Sequence, residues 1–245
     1  MSGHSHFSSI KHKKAIEDQK RGQVFSKLAR MISVAAQGGG DPNSNPKLRQ
    51  ALDEAKKADM PRDNIDRAIK RGTGELEGGK SLEEISYEAF LPGGVAVIIE
   101  GITDNKNRSL AEIKHILQKN GGKLAEAGSV KWLFEQKGII SLSPNNQGET
   151  KTKEELEMAV IEAGAENLEW EEDNQILEIY TKPEQLEEVR KSLGEKGIQS
   201  DNASLGWLPK EPLTLEEKEK ELSERIFGEL DENDAVQDIY SNLQN

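Results

Sequence analysis

Between Gly72 and Lys80 the chain holds four glycines in nine residues and shows no hydrophobic period. Such a stretch packs against nothing and reads as a linker, so the chain is expected to fold as more than one unit. The composition changes across it. Residues 1–80 carry 16 Lys/Arg against 10 Asp/Glu, a net +6, whereas residues 81–245 carry 17 against 35, a net −18. Charges are screened over about 8–10 Å, so clustered cations attract a polyanion even in a protein of net charge −12. The basic end is suited to nucleic-acid phosphates, and the acidic remainder repels them.

Other totals exclude whole classes of chemistry. The longest aliphatic run, Val95 to Ile99, is five residues, against the roughly 20 needed to cross a bilayer. The first residues lack the apolar core of a secretory signal, which points to a cytoplasmic protein. There is no cysteine, and three of the four histidines lie within the first twelve residues. Thiolate catalysis, disulfides and most structural zinc sites are thereby excluded.

Hydrophobic spacing divides the basic region into three short helices. Phe25, Leu28, Ile32 and Ala35 recur at helical spacing until Gly38-Gly39-Gly40 breaks the run. Asn45-Pro46 supplies a cap and a first-turn proline for a helix bearing Leu48, Leu52 and Ala55. Pro61 opens a third helix with Ile65, Ala68 and Ile69, ended by Gly72.

Beyond the linker the pattern is α+β. Tyr87–Leu91 and Val95–Thr103 flank Pro92-Gly93-Gly94 as a hairpin, Leu110–Lys119 is helical, and Val130–Phe134 and Gly138–Leu142 have strand character. A helix follows over Glu154–Ala163, a hairpin turns at Asp173-Asn174, and a helix spans Pro183–Lys196. A strand near Leu205–Leu208, a charged helix over Leu215–Phe227 and a short element at Ala235–Tyr240 complete the chain.

Glu112-Ile113, Leu117 and Gly121 are echoed 76 residues later by Glu188-Val189, Leu193 and Gly197, and Trp132 by Trp207 at an offset of 75. If residues 138–207 form a β-α-β-β-α-β, ferredoxin-like unit, the last helix and strand are left to complete the unit begun at residue 80. The expected architecture is a three-helix domain at 1–79, an α+β domain at 80–137 and 208–245, and an acidic α+β domain at 138–207 inserted into it.

The candidate nucleic-acid contacts fall in two clusters. His4, Lys11, His12, Lys13, Lys14, Lys20, Arg21, Lys27 and Arg30, with His6 and Phe7 beside them, make a basic arm whose aromatic could stack on a base. Lys56, Lys57, Arg62, Arg67, Lys70 and Arg71 form the second. Here a structural reading competes: Asp63–Arg67, Arg62–Asp66 and Asp66–Lys70 have the i,i+4 spacing of intrahelical ion pairs.

Three other motifs carry little. Gly74 to Ser81 fits G-x-x-x-x-G-K-S, but it follows a helix and places Glu75 and Glu77 beside the would-be phosphate, the opposite of a P-loop. Ser2-Gly3-His4, if freed of Met1, has the donors for square-planar Cu(II) or Ni(II) and nothing else to support a metal role. The acidic runs are without an accompanying nucleophile and read as solvated faces. Trp132 and Trp207 are expected in the core. No catalytic residue and no cofactor are expected.

The motifs carry a resemblance. Ser2-Gly3-His4-Ser5, Ile10 to Ala15, Gly38-Gly39-Gly40-Asp41-Pro42 and Met60 to Gly72 resemble the YebC/PmpR family. So do Pro92 to Ala96, Thr103 to Arg108, Asn120-Gly121-Gly122, Gly128-Ser129-Val130 with Trp132, and Val236 to Asn242. The resemblance implies a regulator that binds DNA, similar to a mitochondrial activator of cytochrome oxidase translation. It also implies a helical domain, two α+β domains with the third inserted in the second, and a return of Val236–Asn242 to the middle one. His6 and Phe7 depart from the basic residue and tryptophan of many relatives. Two functions follow: a DNA-binding transcriptional regulator, or a translation factor whose basic arm contacts ribosomal RNA. No convincing helix-turn-helix with a base-reading helix is visible, and the acidic domains are left to meet protein partners.

Overall fold

The computed structural model describes residues 18–76, 81–143, 152–171 and 175–244, with side chains from residue 21 onward. Three helices come first: α1 (Asp18–Ala36), α2 (Pro46–Lys57) and α3 (Arg62–Gly72). Asn45 fixes the first corner. Its Oδ1 accepts from the Leu48 amide at 3.1 Å, while its Nδ2 donates to the Ala35 and Gly39 carbonyls at 2.7 and 2.8 Å. One buried side chain thus caps the start of α2 and holds the end of α1. Leu28, Ile32, Leu48, Leu52, Ala55 and Ala68 fill the core between them.

Helix α3 lies so close to α1 that a Cβ on Gly72 would stand 2.2 Å from the Ser33 carbonyl oxygen. At the same contact the Ser33 hydroxyl donates to the Ala68 carbonyl at 2.9 Å. Four residues, Ala58 to Pro61, join α2 to α3, the length of a helix-turn-helix turn. Both helices nevertheless pack chiefly on α1 rather than on each other.

The next unit is a four-stranded antiparallel sheet of β1 (Glu83–Phe90), β2 (Ala96–Thr103), β3 (Lys123–Leu124) and β8 (Val236–Ser241), in the order β3-β1-β2-β8. Helices α4 (Lys106–Lys119) and α7 (Glu217–Asp231) cover one face. Val97, Ile99, Ile113, Leu117, Phe227, Leu230 and Ile239 make its core. The terminal strand therefore pairs with β2 across more than 130 residues of intervening chain.

That intervening chain builds a second antiparallel sheet from β4 (Phe134–Leu142), β5 (Asn167–Glu171), β6 (Ile176–Thr181) and β7 (Asn202–Pro209), ordered β5-β6-β4-β7. With α5 (Lys153–Glu162) after β4 and α6 (Leu186–Glu195) after β6, it has the β-α-β-β-α-β order of a ferredoxin-like unit. Thr152 and Glu155 cap α5 reciprocally. Strands β4 and β7 pair with each other from Phe134 opposite Pro209 onward and run unbroken through residues 137/138 and 207/208.

Three local expectations need correction. Residues Lys131–Leu133 form a 3-10 turn, and the strand begins only at Phe134. The cause is Glu88, whose buried carboxylate accepts from the amides of Gly128 (2.6 Å), Val130 (2.5 Å) and Lys131 (3.0 Å). Amides turned onto one carboxylate are not available to a strand ladder. Trp132 is consequently 65% exposed, and Trp207 only half-buried. The helix expected from Pro183 opens as a 3-10 turn, with α6 proper starting at Leu186. The Asp173-Asn174 turn and Glu77–Lys80 lie outside the described residues. No described helix is long and apolar enough to cross a membrane.

Candidate nucleic-acid interface

The cations of the basic lobe separate by helix. On α1, Lys27 is buried, and its Nζ meets Asp231 Oδ1 of α7 at 2.7 Å. Arg30 donates to the Ile102 carbonyl of β2 at 3.0 Å and lies 3.7 Å from Asp234. Gln23 adds a bond to the Asp231 carbonyl at 3.0 Å, and Gln37 one to the Leu82 carbonyl at 2.9 Å. Lys27 and Arg30, expected as phosphate contacts, instead hold the helical lobe to the first sheet. Moving a charge from such a site costs more than a surface contact returns.

On α2 the division repeats. Lys57 donates to the carbonyls of Ser200 (3.3 Å) and Asp201, and Gln50 to that of Ala203, all at the start of β7. Lys56 is exposed, with Asp53 beside it at 3.3 Å. A shallow cleft lined by Gln50, Asp53, Lys57, Arg190 and Asn202 separates the two lobes around these bonds.

Helix α3 is different. Ile65, Ala68 and Ile69 turn inward, and Arg62, Arg67, Lys70 and Arg71 stand on the exposed side. The i,i+4 pairs with Asp63 and Asp66 that the spacing allows are not formed among the described residues, and none of these four cations has an ion-pair partner there. Arg21 is exposed on α1. Lys47 and Arg49, absent from the expected set, are also exposed at the start of α2. Their charge was visible in the sequence, but their exposure follows only from which face of α2 turns to α1. His4, Lys11, His12, Lys13, Lys14 and the Lys20 side chain lie outside the described residues.

No group of three or more His, Cys, Asp or Glu able to hold a metal occurs among the described residues. The Glu88 carboxylate is held by backbone amides: burial works to raise its pKa, but the three donors and the nearby Lys131 outweigh that and keep it below the usual range. Glu100 is pushed the other way by burial and by the facing Asp238 and Glu84, against a 2.9 Å bond from the Trp207 indole and the attraction of Lys131. Glu88 holds the turn that leads into β4 and Glu100 holds the Trp207 indole of β7, so both tie the first sheet to the second.

Residues 5–75 match the model of the TACO1/YebC protein N-terminal domain, and residues 82–243 that of the TACO1/YebC second and third domain. The chain belongs to the TACO1/YebC family. It is 49% identical to a probable transcriptional regulatory protein of Halothermothrix orenii over 99% of this chain and 95% of that one. A probable transcriptional regulatory protein of Thermoanaerobacter pseudethanolicus is 44% identical over 100% and 97%. The crystal structure of a conserved hypothetical protein from Aquifex aeolicus superposes with a TM-score of 0.89 at 42% identity, covering 98% of this chain and 97% of that one. Relatives in this family thus carry the name of a regulator, and the fold is shared from end to end.

Proposed function

We propose that this protein is a non-enzymatic regulator of gene expression that binds DNA through the exposed face of α3. The observation that carries the proposal is the set Arg62, Arg67, Lys70 and Arg71, four solvent-facing cations without internal partners among the described residues. Cations left unpaired on a rigid helix are free to replace the counterions of a phosphate backbone at little rearrangement cost. The names of the relatives favour DNA as the polymer. The separate packing of α2 and α3 on α1 favours contact with backbone over base reading by a paired recognition helix. Arg21, Lys47, Arg49 and Lys56 extend the surface, and the basic arm, His4 to Lys14, is proposed to add to it. The acidic faces of the two sheets are proposed to take a protein partner. The domain limits at 79/80, 137/138 and 207/208 are part of the same proposal, as is a cytoplasmic location.

The test is titration of a duplex DNA by fluorescence anisotropy against salt. The triple variant Arg67→Glu, Lys70→Glu, Arg71→Glu should lower affinity by about tenfold or more and reduce the salt slope by about one unit for each phosphate no longer neutralised. Unchanged affinity and slope would overturn the assignment to α3. Binding of ribosomal RNA with no affinity for duplex DNA would move the protein to translation.

A further inference from the structure

Trp132 is displayed where nothing in the protein uses it. Its ring is 65% exposed, although burying an indole is among the most favourable things a fold can do with one. The exposure is built, not slack. Glu88 anchors the loop below through the amides of Gly128, Val130 and Lys131, and Val130 and Phe134 on either side are buried. The indole Nε1 donates to the Ser129 carbonyl at 2.9 Å, which fixes the ring and occupies its one polar group. What remains for a partner is a flat aromatic face held in a single orientation.

Two lysines stand at the backbone that carries that face. Lys210 Nζ donates to the Trp132 carbonyl at 2.8 Å, and Lys131 is the adjacent residue, its Nζ 5.1 Å from the centre of the Trp207 ring. Neither lysine forms an ion pair among the described residues. Lys119, Lys137, Lys191 and Lys196, in the same acidic two-thirds of the chain, each hold a glutamate. A fixed aromatic face on a turn that also holds Lys210 at its backbone, with Lys131 next along the chain over Trp207 and attracting Glu88 and Glu100, suits an aromatic group joined to an anion.

We infer that Trp132, Lys131 and Lys210 form a second nucleic-acid contact, in which an unpaired base stacks on the Trp132 ring while its flanking phosphates meet the two lysines. Every base offers a π-face, so the site takes single strands with little sequence preference. The inference rests on the reading of the protein as a nucleic-acid binder, and it separates the polymer into two parts: duplex phosphates at α3 and an unpaired stretch at Trp132. Single-stranded DNA and RNA share the chemistry, and the experiment distinguishes them.

In a full-length chain carrying Trp170→Phe and Trp207→Phe, Trp132 is the sole tryptophan emitter. Oligo(dT) and oligo(U) of about eight nucleotides should quench it, and whichever quenches at the lower concentration is the source. In the otherwise native chain, Trp132→Ala should weaken single-strand binding by about tenfold or more and leave duplex binding at α3 unchanged. Lys131→Ala with Lys210→Ala should lower the salt slope for single strands alone. The inference is overturned if an abasic oligonucleotide binds as tightly as oligo(dT), or if an acidic peptide quenches Trp132 and neither oligonucleotide does. Loss of duplex binding in the α3 variant together with a silent Trp132 would sink this site and leave the α3 reading intact. Quenching at Trp132 with no effect of the α3 variant would do the reverse.

Discussion

Helices α1 and α3 are both basic, run side by side and share one core, yet their cations do opposite things. Lys27 and Arg30 on α1 are spent on Asp231, Asp234 and the Ile102 carbonyl, so they join the helical lobe to the acidic sheet. Arg62, Arg67, Lys70 and Arg71 on α3 have no such partners among the described residues and face water. Part of the charge asymmetry is therefore internal attachment, and only the remainder is offered to a polyanion. Sequence totals count both kinds alike.

The largest effects should come from the spent cations. Lys27→Met leaves Asp231 partly buried without its partner and should cost about 2–3 kcal/mol in urea unfolding. Adding Asp231→Leu should recover most of that loss. If Lys27→Met is silent, the contrast between the two helices fails at its first step. Gly72→Ala should cost about 2 kcal/mol, because its Cβ has nowhere to go against the Ser33 carbonyl. A shift in thermal midpoint below about 1 °C would show that α1 and α3 can separate without penalty.

Glu88→Gln should cost roughly 1–2 kcal/mol at neutral pH, since the amide holds its three donors less well than the carboxylate does. The sign of its pH dependence follows from a folded pKa lowered below the unfolded one. The contribution is complete above the ordinary carboxylate range and is lost as pH falls through the folded value. Glu100 has the opposite sign: its pKa is raised, so its contribution is present at low pH and lost as pH rises through the folded value. Glu100→Gln should flatten the stability profile at and above the ordinary carboxylate range, whereas Glu88→Gln should flatten it below. Identical profiles for the two variants would contradict the assignment.

The smallest effect concerns the junction of α2 with β7. Its bonds from Lys57 and Gln50 are few and lie at the edge of a shallow cleft, so breaking them by Lys57→Ala should change stability by less than about 1 kcal/mol. Duplex DNA affinity should be the same in Lys57→Ala as in the native protein, because α3 lies outside this junction. A loss of duplex binding in Lys57→Ala would mean that Lys57 leaves the Ser200 and Asp201 carbonyls to reach phosphate.

Much of the fold was legible because its causes are local. Asn45-Pro46 announces the start of α2, Pro92-Gly93-Gly94 the β1–β2 turn, and the glycine after each matched helix its end: Gly121 and Gly197 both adopt the left-handed backbone, at φ 78° and 75°. The tryptophans broke that same echo. Trp207 entered a strand and Trp132 a turn, because Glu88, more than forty positions earlier, withdrew the amides that a strand would have needed.

The candidate site was half legible for the same reason. The presence of Lys27, Arg30, Lys57, Arg67 and Lys70 is a fact of the sequence, and their clustering is enough to direct attention to a polyanion. Which of them are free is not, since Lys27 and Asp231 are separated by 204 residues and meet only because α1 docks against the end of α7. Helical period, caps and charge follow from neighbours along the chain, and the sequence alone determined those. The pairing of each charge is set by what the packed lobes bring within hydrogen-bonding reach, and that was decided by the tertiary structure.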